Sequence, residues 1–188
     1  MIRLFIGLSL PDAISDQLID LYGPLPGARW VHPDDLHLTL RFLGPTDASL
    51  AREVDEALQL VHLPEFSLQI LGVGHFPPRG RPHSLWAGTA PSPPLERLQA
   101  RVEHLVRHAG APPEKRNFAP HISLARLERA ADGDVAGFLA AHSLLRTEPW
   151  TVSEFHLYSS TPGEEGARYA KLETYPLGDA LLFKPGAE

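Results

Sequence analysis

A four-residue pattern occurs twice in this chain of 188 residues: His37-Leu38-Thr39-Leu40 and His121-Ile122-Ser123-Leu124. The copies lie 84 residues apart, one in each half of the chain. Both have the form histidine, aliphatic, hydroxyl residue, leucine. Such alternation is the period of a β-strand with one face on a core and the other in the open. Leu36, Leu38 and Leu40 therefore share the buried side of the first strand, with His37 and Thr39 on the opposite side. Ile122 and Leu124 back His121 and Ser123 in the same way. One His-x-Thr in a strand is common and carries little information. A second copy with the same inside–outside pattern, in the other half, restricts the chain to folds that give two equivalent strands equivalent surroundings.

The remaining segments supply the frame for those strands. Apolar runs predict strands over 2–9, 35–43, 65–74, 83–90, 118–127, 150–158 and 167–175, the last two forming a hairpin around Pro162-Gly163. Helical periodicity predicts helices over 12–22, 48–61, 94–109 and 132–141, the second with Val54, Ala57, Leu58 and Val61 on one stripe. Strands and helices mix without strict βαβ alternation, so the expected class is α+β with mainly antiparallel sheets. The 19 prolines fall mostly in short clusters such as Pro77-Pro78 and Pro112-Pro113, which punctuate elements and do not form a disordered linker. The apolar start is ended by Pro11-Asp12, too early to span a bilayer and without a signal-peptide cleavage pattern. A cytoplasmic protein is the default expectation.

Composition narrows the chemistry. With 0 Cys and 10 His, the chain has no disulfide framework, cysteine nucleophile, thiolate zinc site or iron–sulfur cluster. A formal charge of −6 argues against a protein that coats nucleic acid through bulk electrostatics and leaves room for a local basic pocket. Histidine chemistry is what remains to consider. Two strands facing each other across a groove would gather two imidazoles and two hydroxyls around one point. In-line displacement at phosphorus needs a base for the attacking oxygen and an acid for the leaving oxygen. Imidazoles titrating near neutrality fill both roles, and hydroxyls hold the non-bridging oxygens. No metal is required.

On these residues the chain resembles the two-histidine phosphoesterase superfamily, and within it the RNA 2′,3′-cyclic phosphodiesterases, historically named 2′-5′ RNA ligases. The likeness runs from Arg3-Leu4-Phe5-Ile6-Gly7-Leu8 through Trp30-Val31, the stretch from Leu36 to Gly44 and Gly74-His75-Phe76-Pro77. It continues through Trp86-Ala87-Gly88, the stretch from Phe118 to Arg126, Leu157-Tyr158-Ser159-Ser160 and Gly166-Ala167-Arg168-Tyr169. It implies a bilobal, pseudo-twofold α+β fold in a single domain over 1–188, with antiparallel sheets flanking a central cleft and helices outside. It also implies hydrolysis of RNA-terminal 2′,3′-cyclic phosphate to a 2′-phosphate, with His37 and His121 catalytic and neither cofactor nor metal. Its partners would be RNA 3′ ends bearing the cyclic phosphate, and its working form a monomer. Joining of RNA ends through a 2′-5′ bond, RNA-end binding, and hydrolysis of small cyclic nucleotides are the alternative readings. Ser123 departs from the threonine usual there, keeping the hydroxyl and losing a methyl.

Thr39, Ser123 and Arg126 are the expected phosphate contacts, Arg126 on the strength of the resemblance. Strict alternation puts Arg126 on the side of Ile122 and Leu124. Either the strand ends or bulges after Leu124, or Arg126 lies outside the site. Arg41 has the parity of His37 and Thr39 and is the other candidate cation. Phe118 has core parity, with stacking on a terminal base as the alternative. His104 and His108 lie four apart on one helix face, a solvated pair with no further ligands in evidence. His75 and His83 flank the segment with Arg79 and Arg81, which is either a lip that touches RNA phosphates or a solvated hairpin tip. The histidines other than the motif pair read as surface or loop residues.

Overall fold

The computed structural model describes residues 1–76, 84–163 and 166–178. Arg79, Arg81 and His83 of the suggested lip lie outside the described residues. In chain order the elements are β1 (Ile2–Ser9), α1 (Asp12–Ile19), β2 (Ala28–Trp30), β3 (His37–Thr46), α2 (Ala48–Leu58), β4 (Phe66–Leu68) and β5 (Ile70–Phe76). There follow β6 (Ser84–Thr89), α3 (Pro93–His108), β7 (His121–Leu127), α4 (Asp132–Ala141), β8 (Trp150–Val152), β9 (Glu154–Gly163) and β10 (Gly166–Pro176). The class is α+β, as expected.

Local chemistry sets the ends of these elements. The Asp47 carboxylate accepts from the Leu50 amide at 2.9 Å and so caps α2, while the Ser92 hydroxyl caps α3 ahead of Pro93-Pro94. β3 begins at His37 because Pro33–Asp35 form one 3-10 turn, whose Asp34 amide donates to His32 Nδ1. The expected strand over 65–74 is broken between β4 and β5, and that over 150–158 between β8 and β9. β4 and β8 pair with each other outside the main sheet.

The main sheet runs β10-β9-β1-β3-β7-β6-β5, with β2 beside β7, and every pairing is antiparallel. The two motif strands are neighbours at its centre. They meet through one pair, Leu38 opposite Ile122, which joins a left half-sheet to a right one. Both residues are fully buried in a single core on one face, with Val54 and Leu58 of α2 and Leu98 and Val102 of α3. Burying each such side chain contributes about 1.5–3 kcal/mol. The other face of the sheet is the one that carries the motif histidines and hydroxyls.

Both motif strands carry a bulge at the same place. Ile6 pairs with Arg41 and Gly7 with Thr39, which leaves Leu40 unpaired. Leu85 pairs with Ala125 and Trp86 with Ser123, which leaves Leu124 unpaired. One extra residue reverses the parity of everything beyond it. Ala125 therefore turns into the core and Arg126 out to the open face, which resolves the conflict over Arg126. The same reversal corrects the reading of Arg41. It points inward, 5% exposed, and its guanidinium binds Glu103 of α3 and the carbonyls of Phe42 and Pro112. Phe42 takes the outward place, 39% exposed.

Candidate active site

The single pair that joins the half-sheets also assembles the site. His37 and Thr39 flank Leu38, and His121 and Ser123 flank Ile122, all four on the face away from the core. The antiparallel sense brings two imidazoles and two hydroxyls together around that pair. Beyond Ser123 the bulge adds Arg126 to the same face.

Each imidazole is oriented by main chain. His37 Nδ1 lies 2.7 Å from the carbonyl of Asp35, and His121 Nδ1 lies 2.7 Å from the carbonyl of Ala119. A carbonyl only accepts, so Nδ1 carries the proton in both rings and Nε2 is left for chemistry. His37 Nε2 accepts from the Thr39 hydroxyl at 3.1 Å.

The surroundings of the two rings differ. His37 packs against Phe5 at 4.6 Å and edge-on to Tyr169 at 4.9 Å, with Tyr158 stacked on Phe5 behind them. That burial pushes the His37 pKa below its usual value, against the Asp35 carbonyl and carboxylate, which favour the charged ring. A charge on His121 pushes in the same direction as burial. The same burial raises the Tyr158 pKa to about 12. His121 instead meets Phe76 edge-on at 4.8 Å. A cavity of about 450 Å³ opens beside His121, lined among others by Thr39, Phe42, Phe76, Arg116, Asn117 and Phe118. Phe118 is half-buried, packs against the core as expected and also borders this cavity. A second cavity, about 370 Å³, lies beside His37 and includes Ser9, Tyr158 and Tyr169 in its wall.

Sequence reasoning passed over the aromatic residues that pack the two imidazoles. Phe5, Phe76, Tyr158 and Tyr169 all fall within the segments that carry the family likeness, and that was the available signal. His156 is the other omission. Read as a surface or loop residue, it lies in β9 and is 1% exposed. It bonds Ser9 Oγ through Nε2 at 3.0 Å and Thr174 Oγ1 through Nδ1 at 2.9 Å. Burial, and the nearby Lys171 charge, press its pKa down to about 4, although the Glu154 carboxylate acts the other way. His104 and His108 are exposed with rings 4.2 Å apart, and among the described residues no group of three or more ligating side chains is placed to hold a metal ion. No helix among the described residues is long and apolar enough to cross a membrane.

The fold that holds these residues has counterparts among known proteins. A crystal structure of a phosphoesterase superposes with a TM-score of 0.78 at 27% identity, covering 94% of this chain and 98% of that one. Escherichia coli LigT crystallised with 3′-AMP superposes with a TM-score of 0.76 at 28% identity, covering 94% of this chain and 98% of LigT. The RNA 2′,3′-cyclic phosphodiesterase of Archaeoglobus fulgidus is 28% identical over 176 residues, 92% of this chain and 99% of the relative. The fold is therefore that of the LigT-like phosphoesterases. The model of the 2′-5′ RNA ligase superfamily matches residues 11–164, and the chain belongs to that superfamily.

Proposed function

We propose that the protein hydrolyses RNA-terminal 2′,3′-cyclic phosphate to a 2′-phosphate, using its two motif histidines as general base and general acid. The observation that carries this reading is the matched pair of Nδ1-to-carbonyl bonds, which turn both Nε2 atoms toward one open face. The names of the curated relatives and the nucleotide in the LigT crystal support the same substrate class.

His37 starts neutral, because burial holds its pKa down, and takes a proton from water as the water oxygen attacks phosphorus. The bond from phosphorus to the ribose 3′ oxygen breaks, and that oxygen receives the proton held by His121. One water is consumed, leaving a 2′-phosphate and a 3′-hydroxyl, and the two imidazoles exchange roles until solvent resets them. Thr39 and Ser123 donate to the non-bridging oxygens, and the Arg126 guanidinium balances their charge. Neither cofactor nor metal takes part in this scheme. Since one chain supplies both halves of the site, we propose a monomer, acting on RNA in the cytoplasm.

The test is product analysis with an RNA ending in a 2′,3′-cyclic phosphate, in the presence of a chelator. Formation of a 2′-phosphate that falls roughly 10²–10⁴-fold in both His37→Ala and His121→Ala is the expected result. Undiminished turnover in either variant overturns the assignment.

A further inference from the structure

The open face of the right half-sheet extends beyond the residues used above. Arg126 of β7 stands directly opposite Arg29 of β2 in antiparallel register. Cross-strand partners project from the same face, with Cβ atoms about 5 Å apart, and like charges so placed destabilise a sheet. Arg29 has no inward option, since Ala28 and Trp30 on either side of it pack against the core. Its nearest carboxylate is Glu128 at 3.6 Å, and both side chains are more than half exposed, 55% and 58%. A pair so open to solvent is largely screened. Among the described residues Arg126 has no salt-bridge partner. Two arginines in register on one open face of an acidic protein make a place for an anion beside them.

Distance places that anion relative to the reacting phosphate. Arg126 follows Ser123 by three residues, one of which is the bulged Leu124, so the two are about 7 Å apart along the strand. That spacing matches the step between successive phosphates of a single strand. On the reading of His37 and His121 as the catalytic pair, with the Arg126 guanidinium turned back to the reacting phosphate, we infer that Arg29 beside it forms a second phosphate subsite, which takes the internucleotide phosphate next to the cyclic end. Arg29 belongs to this subsite alone and has no part in the chemical step. The substrate class is then an oligonucleotide of at least two residues, recognised by its backbone, in preference to a cyclic mononucleotide.

The experiment compares adenosine 2′,3′-cyclic phosphate with the dinucleotide that carries one internal phosphate and the same cyclic end. Wild type is expected to prefer the dinucleotide. Arg29→Ala is expected to lose about fivefold in kcat/KM on the dinucleotide, through KM, while its mononucleotide rate stays within about twofold. Arg29→Lys is expected to recover part of the loss, and the salt dependence of the dinucleotide KM is expected to flatten in Arg29→Ala. An unchanged substrate ratio in Arg29→Ala, or an equal fall on both substrates, overturns the subsite and leaves the catalytic reading intact. A wild type that turns over neither substrate overturns both.

Discussion

Single side chains at this site differ in what they can lose. Thr39→Val keeps the shape of the side chain and removes the hydroxyl that bonds His37 Nε2, so kcat is expected to fall roughly 10–100-fold in steady-state assays without loss of fold. Ser123→Thr restores the family's usual residue, and activity within about threefold of wild type is the expected outcome. The pH dependence follows from His37. Its pKa is lowered, so the neutral base persists into mildly acidic solution, and kcat/KM falls only as pH drops through that lowered value. The general acid must keep its proton, so activity also falls on the alkaline side and the profile is bell-shaped; an acidic limb at or above the ordinary histidine pKa contradicts the assignment of His37 as base. At this scale the sequence was highly informative: the four motif residues were legible because strand alternation and repetition agreed. Arg41 was misread because parity was carried through Leu40 as though no bulge were there. The available clue lay in the second copy, where apolar Ala125 sits at the open parity and charged Arg126 at the buried one.

The bulged strands and their neighbours explain what joins the half-sheets. A Cβ on Gly7 would lie 2.7 Å from the Leu38 carbonyl oxygen, too close for either strand to stay in place. Gly7→Ala is therefore expected to push β1 from β3 at the junction, costing about 1–3 kcal/mol in urea unfolding and lowering activity with it. Arg41 acts between elements as well, since it ties β3 to α3 and to the carbonyl of Pro112, in the stretch that leads to His121. Arg41→Met leaves the Glu103 carboxylate without its partner, and a loss of about 3–5 kcal/mol in the same measurement is expected. Helices and long strands were legible because each buries one stripe or one face. The three-residue β2 was not, because so short a run carries no period. His156 was hidden for a related reason. β9 is buried from Phe155 to Ser159 on both faces, and an alternating pattern is lost where both faces are covered.

For the whole molecule, His156 sets an acid limit. Its folded pKa, about 4, lies below the unfolded value near 6.5, so the unfolded chain binds the extra proton between those values. Stability is complete above about pH 6.5 and declines as pH falls toward 4, by on the order of 3 kcal/mol at most. Denaturant midpoints measured at pH 7 and pH 5 are expected to differ in wild type and to differ less in His156→Gln; equal midpoints in wild type contradict this account. The pseudo-twofold plan was legible in the repeat, whereas the fusion of its halves through the one pair of Leu38 and Ile122 was not, because pairing between distant strands leaves no local trace. The carbonyls of Asp35 and Ala119 have a consequence for how such an enzyme changes over generations. The groups that aim the two imidazoles belong to the peptide backbone, which every amino acid supplies. No substitution at either position deletes them, so an alanine scan leaves the aim of both rings in place. Mutation at Asp35 or Ala119 changes a side chain and, at Asp35, a charge beside His37, while the carbonyl that holds each ring stays.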